Sequence, residues 1–171
     1  MGLAAYGKPN EKIKAVFDEI AQDIEDSFQY EVNPRYRYNG ERTYGKKFTD
    51  KLVEKLGNPR VYGESAMQDP YPDIAYAAQK QLEEFLLSQV KYAAGLGLSK
   101  NACFAGGVHM NCKANGMLAE HDYFDNYFFQ PAASDNGVCL GAAMLACKDF
   151  SNEQPDYPPL THLYFGPSYS D

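Results

Sequence analysis

The sequence predicts an α/β fold in which a mixed or parallel sheet is flanked by helices. Two similar segments support this prediction. In the first, an apolar run at residues 102–105 is followed by Gly106-Gly107 and a helical pattern. In the second, an apolar run at residues 127–129 is followed by the turn of residues 130–137 and another helical pattern. Short apolar strands that alternate with helices are typical of parallel sheets, and ligands bind beyond the carboxyl ends of such strands, where both turns lie.

Apolar residues at helical spacing predict a first long helix, which opens with Asn10 or Pro9 near its cap. Its buried face is predicted to consist of Ile13, Val16, Phe17, Ile20, Ala21, Ile24 and Phe28. Residues 30–38 have strong strand propensity, but Pro34 restricts them to an edge strand or an irregular arm.

Two further helices are predicted before the strands. The first covers residues 48–56 with Thr49 as its cap, and the second is a long helix capped by Asp73. The buried side of the long helix is predicted to hold Ile74, Ala77, Ala78, Leu82, Phe85, Leu86, Val90 and Ala93. These two helices are predicted to end at Gly57 and at Gly95 and Gly97. The helix after the first strand is predicted to end near Glu120, and the helix after the second strand near Cys147. Arg60 lies in the loop between the two helices, where it either meets an anionic ligand or is solvated.

The bulk properties describe an ordinary globular chain. It has 171 residues, of which 44% are hydrophobic and 23% charged. The net charge of −7 argues against a nucleic-acid partner. No segment has the length and apolarity of a membrane-spanning helix, and no signal peptide is evident, so we expect no membrane partner. Cys112, Cys139 and Cys147 fall on predicted helices and Cys103 on a predicted strand. The sequence contains no C-x-x-C pair. We expect buried, reduced thiols in the cytoplasm and no zinc site.

The first turn has two interpretations. Gly106 and Gly107 follow a strand and precede a helix, so their backbone N–H groups suit a phosphate, but a tightly packed structural turn is equally compatible. Asn111 either donates to a ribose or phosphate or caps the helix. His109 has no second histidine nearby and is predicted as a helix-start residue or a partner of a backbone group.

The second turn carries the acidic residue. Asp135, between Ser134 and the Asn136-Gly137 pair, suits a hard divalent metal or a metal-bound phosphate. Ser-Asp before a helix is also an ordinary N-cap, and on the residues alone the cap is the better interpretation. The helix that follows has small residues on one side, which permits close approach of a nucleotide or another backbone: Gly137, Gly141, Ala142 and Ala143.

Taken together, these motifs resemble the O-carbamoyltransferase family of nodulation, cephamycin and aminoglycoside-antibiotic pathways. The motifs that carry the resemblance are GLAAYG at residues 2–7, AGGV at residues 105–108 with Asn111 and Cys112, QPAASDNG at residues 130–137 with Gly141, Ala142 and Ala143, and the final Gly166-Pro167. The resemblance runs over nearly the whole chain and is sparse between residues 30 and 72.

The resemblance implies an actin-like ATPase (ribonuclease H-like) fold, followed in the family by a YrdC-like domain. It implies that carbamoyl adenylate, made from carbamoyl phosphate and ATP, passes its carbamoyl group to a hydroxyl of a small-molecule acceptor with a bound divalent metal, commonly iron. By the match, Asp135 is the catalytic metal ligand of this chain. The nucleotide would be bound by Gly106, Gly107, Asn111, Ser134 and Gly137.

The resemblance also implies that the chain is a fragment. Residues 1–150 would be the second half of the actin-like domain, and residues 151–171 a linker toward the YrdC-like domain. The family's paired metal-binding histidines belong to the first half, and no H-x-x-x-H occurs here. His109 stands where a small residue is usual. We therefore expect the rest of the polypeptide to be a partner, self-association to occur through the open sheet edge, and the chain alone to carry out no carbamoyl transfer.

Two other functions stay open on the sequence. One is a nucleotide-binding regulatory or scaffold module of the same fold, without transfer chemistry. The other is a threonylcarbamoyl transferase-like domain acting on tRNA, against which the acidic balance and the GLAAYG segment count.

Overall fold

A computed structural model of the chain describes residues 1–38, 40, 48–151, 162 and 166–169. The chain divides into two compact units, Met1–Leu98 and Ser99–Asp171, which are described separately. Most of the expected linker at residues 151–171 lies outside the described residues.

The first unit combines three helices with a small hairpin. Its elements in chain order are α1 (Glu11–Ile20), β1 (Ala21–Asp23), β2 (Tyr30–Val32), α2 (Asp50–Leu56) and α3 (Tyr71–Gly95), with short 3₁₀ helices at Leu3–Tyr6 and Pro34–Tyr36. Local capping chemistry sets two helix starts as predicted. The Asn10 side chain accepts hydrogen bonds from the N–H groups of Lys12 and Ile13, and the Thr49 hydroxyl accepts one from Leu52. At the end of α2, Gly57 adopts φ +88°, a conformation that favours glycine.

The first helix is shorter than the apolar spacing predicts. It ends at Ile20 because the following residues form β1, which pairs antiparallel with β2. The predicted helical positions Ile24 and Phe28 therefore lie in the hairpin, whose turn contains Asp26 at φ +52°. Phe28 still packs on a helix, since its ring lies 4.8 Å from that of Tyr92 on α3. Strand pairing thus overrides the helical period, while the apolar residue keeps an aromatic partner on α3.

The predicted role of Asp73 as the cap of α3 is wrong. The helix begins at Tyr71 and is preceded by Pro70, so Asp73 lies within its first turn. Its carboxylate accepts a hydrogen bond from the Lys8 N–H at 2.8 Å. Asp73 therefore ties the N-terminal segment, with its 3₁₀ helix Leu3–Tyr6, to the start of α3.

The buried side of α3 is only partly apolar. Ala77 and Val90 are buried as predicted, whereas Ala78 is exposed. Gln79 and Glu83 are buried although the apolar pattern gave no indication of them. The Gln79 amide donates to the Glu83 carboxylate at 2.9 Å, and Lys80 forms an ion pair with the same carboxylate at 2.7 Å. Pairing of this kind is what allows a carboxylate to be buried.

The second unit contains both predicted strand–turn–helix segments. Its elements are β3 (Asn101–Phe104), α4 (Cys112–Ala119), β4 (Asn126–Phe129) and α5 (Val138–Phe150). The two strands pair in parallel, from Asn101 opposite Asn126 to Phe104 opposite Phe129. With the antiparallel hairpin of the first unit, the described chain is a mixed α/β protein, which confirms the predicted class.

One face of the β3–β4 pair carries an aromatic stack. The Phe104 ring lies 4.8 Å from that of Phe129 and 6.0 Å from that of Tyr127. On α4, Ala114 and Leu118 are fully buried. Residues of the other strand face, Cys103 and Phe128, are exposed. This alternation is the period of two that a half-buried strand requires.

All four cysteines are free and lie on the predicted kinds of element, but their predicted burial is wrong. Each is exposed. Cys139 and Cys147 are exposed because no residue of α5 is buried by the described part of the chain. The apolar composition of α5 predicts burial from sequence, and no element within the described residues covers it.

Among the described residues, no helix is both long and apolar enough to cross a membrane.

A glycine pair tests the packing of the N-terminal segment on α3. A Cβ atom at Gly7 would collide with the Pro72 carbonyl, whereas one at Gly2 meets nothing within 4 Å. We expect Gly7→Ala to lower the free energy of unfolding by about 1–3 kcal/mol through overpacking. The matched control Gly2→Ala should change it by less than about 0.5 kcal/mol. Urea unfolding of both variants measures this, and equal values for the two would contradict the described contact.

Candidate functional site

The two predicted turns meet beyond the carboxyl ends of β3 and β4. The Gln130 N–H donates to the Phe104 carbonyl at 2.9 Å, which continues the parallel ladder past the strands. The Gly106 N–H then donates to the Ala133 carbonyl at 2.6 Å. These bonds join one turn directly to the other, so the residues predicted for a ligand site from two separate segments lie side by side.

Backbone conformation in the first turn leaves two donors unused. Gly106 adopts φ +100°, and a 3₁₀ helix, Gly107–Met110, follows it. The N–H groups of His109 and Asn111 donate to the carbonyls of Gly106 and Val108, each at 3.0 Å. No hydrogen bond among the described residues uses the N–H groups of Gly107 and Val108. The turn therefore offers two consecutive backbone donors to an anion.

The Ser134 hydroxyl borders these donors. A Cβ atom built on Gly107 would lie 3.6 Å from the Ser134 Oγ atom, which is ordinary contact distance. The Ser134 side chain makes no helix-capping hydrogen bond. Its hydroxyl therefore lies beside Gly107, in the turn that carries the two unused N–H groups.

The second turn exposes the carboxylate of Asp135. A 3₁₀ helix, Asp135–Gly137, leads directly into α5. Neither Ser134 nor Asp135 caps a helix with its side chain, so the capping interpretation favoured by the residues alone is not what the structure adopts. Within the described part of the chain, the Asp135 carboxylate has no hydrogen bond or ion pair, and it is exposed.

Gly137 has a structural role in this turn. A Cβ atom there would collide with the carbonyl oxygen of Ala132, so the chain folds back closely on itself only with glycine at this position. Its N–H donates to the Ser134 carbonyl at 2.9 Å. Gly137 thus shapes the turn that presents Asp135.

Asn111 is used as the helix cap. Its side-chain oxygen accepts a hydrogen bond from the Ala114 N–H at 3.1 Å, at the start of α4. This is the capping alternative of the two that the sequence leaves open. A contact of Asn111 with a nucleotide stays a prediction.

His109 is a feature of the site to which sequence reasoning gave little weight. Its ring Nδ1 atom lies 3.0 Å from the side-chain oxygen of Asn115, and its carbonyl accepts a hydrogen bond from the Asn115 amide at 2.8 Å. The ring also lies 5.0 Å from that of Phe104. The sequence signal that could have indicated these contacts is Asn115, a polar residue near the start of a helix that follows a glycine-rich turn.

The described residues include no group of three or more side chains suited to hold a metal ion. Asp135 offers a single exposed carboxylate. A hard divalent cation is commonly held by one or two carboxylates together with phosphate oxygens and water, so a lone free carboxylate fits such an ion when a phosphate lies beside it.

Comparison with known proteins assigns the family. The family model for the carbamoyltransferase N-terminus matches residues 1–144. The chain belongs to this family. An uncharacterized protein of Synechocystis is 34% identical over 179 residues, which cover 100% of this chain and 28% of that protein.

Two nodulation proteins are also relatives of this carbamoyltransferase-family chain. Nodulation protein NolO of Bradyrhizobium diazoefficiens is 28% identical, with 98% of this chain and 28% of the relative aligned. Nodulation protein NolNO of Sinorhizobium fredii is 29% identical, with 98% of this chain and 22% of that relative aligned. The chain thus spans between about a fifth and a third of the length of these curated relatives.

A second glycine pair tests the geometry of the first turn. Gly106 has a positive φ, so Gly106→Ala should lower the free energy of unfolding by about 1–2 kcal/mol. Gly116, in the middle of α4 with open space around it, serves as the control. Gly116→Ala should raise the free energy of unfolding by up to about 1 kcal/mol through helix propensity. Denaturant unfolding separates the two, and stabilisation by Gly106→Ala would contradict the described turn.

Proposed function

We propose that this chain supplies the phosphate-holding and metal-binding half of the active site of an O-carbamoyltransferase. The observation that carries the proposal is the junction of the two turns through the Gly106–Ala133 hydrogen bond. It brings two unused N–H groups, a hydroxyl and an unpaired carboxylate to one edge of the sheet. Family membership supports the chemistry.

In the proposed reaction, carbamoyl adenylate formed from carbamoyl phosphate and ATP is the donor. The acceptor's hydroxyl oxygen forms a bond to the carbamoyl carbon and the hydroxyl proton is released to solvent. The bond from that carbon to the AMP phosphate oxygen breaks, and AMP leaves. Negative charge develops on the carbonyl oxygen and on the departing phosphate. Preorganised donors that face such charge lower the barrier, because they need no reorganisation during the reaction.

The residues of this chain then have distinct roles. The N–H groups of Gly107 and Val108 donate to a phosphate oxygen, and the Ser134 hydroxyl adds a third donor. Gly106 and Gly137 give the two turns their shapes, and Asn111 fixes the start of α4 beneath the first turn. Asp135 would hold the divalent metal.

The sign of the charges supports a metal requirement. A phosphate and the Asp135 carboxylate repel each other by about 1 kcal/mol at 4 Å in water, and by about 4 kcal/mol at the lower effective dielectric of a protein surface. A divalent cation held by Asp135 would offset this repulsion. When bound, the metal supplies Lewis-acid stabilisation of the negative charge. Iron(II), manganese(II) or magnesium are all compatible with a carboxylate oxygen ligand.

The remaining ligands and the acceptor site belong, in this proposal, to the rest of a longer polypeptide. The described residues contribute a single candidate metal ligand, and the relatives are several times longer than this chain. Carbamoyl transfer by the chain alone is therefore not expected.

The single carboxylate also supports a second candidate, a nucleotide-binding regulatory module without transfer chemistry. Such a module needs the backbone donors of the first turn, but it does not need Asp135 as a metal ligand. The two candidates therefore differ in what the loss of the Asp135 charge does.

Asp135→Asn in the full-length protein tests the proposal. Asparagine keeps the size of the side chain and removes the charge, so metal-dependent transfer should fall by about 100-fold or more, in line with the loss of several kcal/mol of transition-state stabilisation. Labelled carbamoyl phosphate, ATP and a panel of sugars and amino sugars provide the assay, with label in the acceptor as the readout.

Asp122→Asn is the matched control, because Asp122 is an exposed carboxylate of the same unit outside both turns. It should leave the transfer rate unchanged. Full transfer by a folded Asp135→Asn variant would reject the metal-binding role of Asp135. Nucleotide binding without any transfer by the unmodified full-length protein would favour the regulatory module.

A further inference from the structure

We propose that His109 is a positioning residue that, together with Asn115, clamps the first turn in the conformation that leaves the N–H groups of Gly107 and Val108 free. The identity of the ligand, a nucleotide phosphate, rests on the proposed function. The clamp itself is tested by a separate measurement.

One carboxamide holds both the backbone and the side chain of His109. The Asn115 Nδ2 atom donates to the His109 carbonyl at 2.8 Å, and the Asn115 Oδ1 atom lies 3.0 Å from the His109 Nδ1 atom. Both contacts span six residues, from the 3₁₀ helix of the turn to the middle of α4. The amide therefore fixes the turn to the helix that follows it.

The partners determine the tautomer of the imidazole. The His109 carbonyl can only accept, so the amide nitrogen of Asn115 must face it. The amide oxygen, which also only accepts, then faces the ring. Nδ1 must therefore carry the hydrogen, and in the neutral ring Nε2 is the atom without one. The opposite amide orientation would place two oxygen acceptors against each other.

Aromatic packing fixes the ring from another side. The His109 ring centroid lies 5.0 Å from that of Phe104 on β3 and 6.0 Å from that of Phe129 on β4. The backbone N–H of His109 donates to the Gly106 carbonyl. His109 is thus held at its N–H, its carbonyl, its ring nitrogen and its ring face, and it connects the turn to both strands and to α4.

This arrangement matters for binding because the turn has few hydrogen bonds of its own. A 3₁₀ segment of four residues is a weak structure, and ordering it at the moment of binding would reduce affinity. A clamp that orders it beforehand removes that cost. In metal sites, loss of the partners that orient the ligands typically costs about 10- to 100-fold in metal affinity or activity, and we expect an effect at the low end of this range here.

The first experiment measures the tautomer. Nitrogen-15 spectra of the histidine-labelled chain should show Nδ1 as protonated in neutral His109, with His121 and His162 as internal references. Asn115→Leu, which keeps the size but removes the amide, should shift His109 toward the Nε2–H form that free histidine favours. An Nε2–H tautomer in the unmodified chain would overturn the clamp.

The second experiment measures ADP binding by calorimetry with manganese(II) and the full-length protein. His109→Ala and Asn115→Leu should each weaken ADP binding by about tenfold. His109→Asn should recover most of this affinity, because its amide can donate to Asn115 from the position of Nδ1. Asn58→Leu, in an exposed loop of the other unit, is the control and should bind ADP normally.

Unchanged ADP affinity in both His109→Ala and Asn115→Leu, or equal loss in His109→Asn and His109→Ala, would overturn the positioning role. Failure of the unmodified protein to bind ADP would instead reject the proposed function, and the tautomer measurement would still decide whether the clamp exists.

Discussion

The hydrogen bond from the Gly106 N–H to the Ala133 carbonyl is the contact on which the candidate site depends. Parallel pairing of β3 and β4 places the two strand ends at the same edge, but it does not by itself fix the turns that follow. The bonds at Gln130 and Gly106 extend the pairing beyond the strands. The N–H groups of Gly107 and Val108, which follow in the first turn, make no hydrogen bond with the described residues.

The two turns contribute opposite chemistry to one place. The first turn provides backbone donors and the second provides a carboxylate, so an anion beside them meets both attraction and repulsion. In the proposed function a divalent cation offsets this conflict, and the chain's net charge of −7 favours cation binding in general.

Sequence reasoning succeeds here where the signal is local. The strands around Phe104 and Phe129, their parallel pairing, and the caps Asn10 and Thr49 follow from short-range patterns. It fails where a distant partner decides. The hairpin that ends α1 depends on pairing with residues seven to eleven positions away. The hydrogen bond from the Lys8 N–H to Asp73 joins segments 65 residues apart.

In the candidate site, too, features with a local sequence signal are predictable and features that depend on distant partners are not. The positions of Gly106 and Gly137 in tight turns are predictable, because glycine between a strand and a helix usually marks a turn that other residues do not fit. The free state of the Asp135 carboxylate is not predictable, since Ser-Asp before a helix usually forms a cap. His109 lies in a short helix at the turn, as predicted. Its side-chain contacts are not predictable, because they depend on Asn115 and on two rings from different strands. The burial predicted for Cys139 and Cys147 fails because it depends on an element that would cover α5.

The most direct test of the joint site is paramagnetic line broadening by manganese(II) in the presence of ADP, observed in amide spectra of the nitrogen-15-labelled chain. If the two turns form one site for a metal-bound phosphate, the amide signals of Gly107, Val108 and Asn136 should broaden together at low manganese, and should do so far less in Asp135→Asn. Broadening that is confined to acidic residues elsewhere, such as Asp18 and Glu84 of the first unit, or that is unaffected by Asp135→Asn, would contradict a shared site at the junction of the turns.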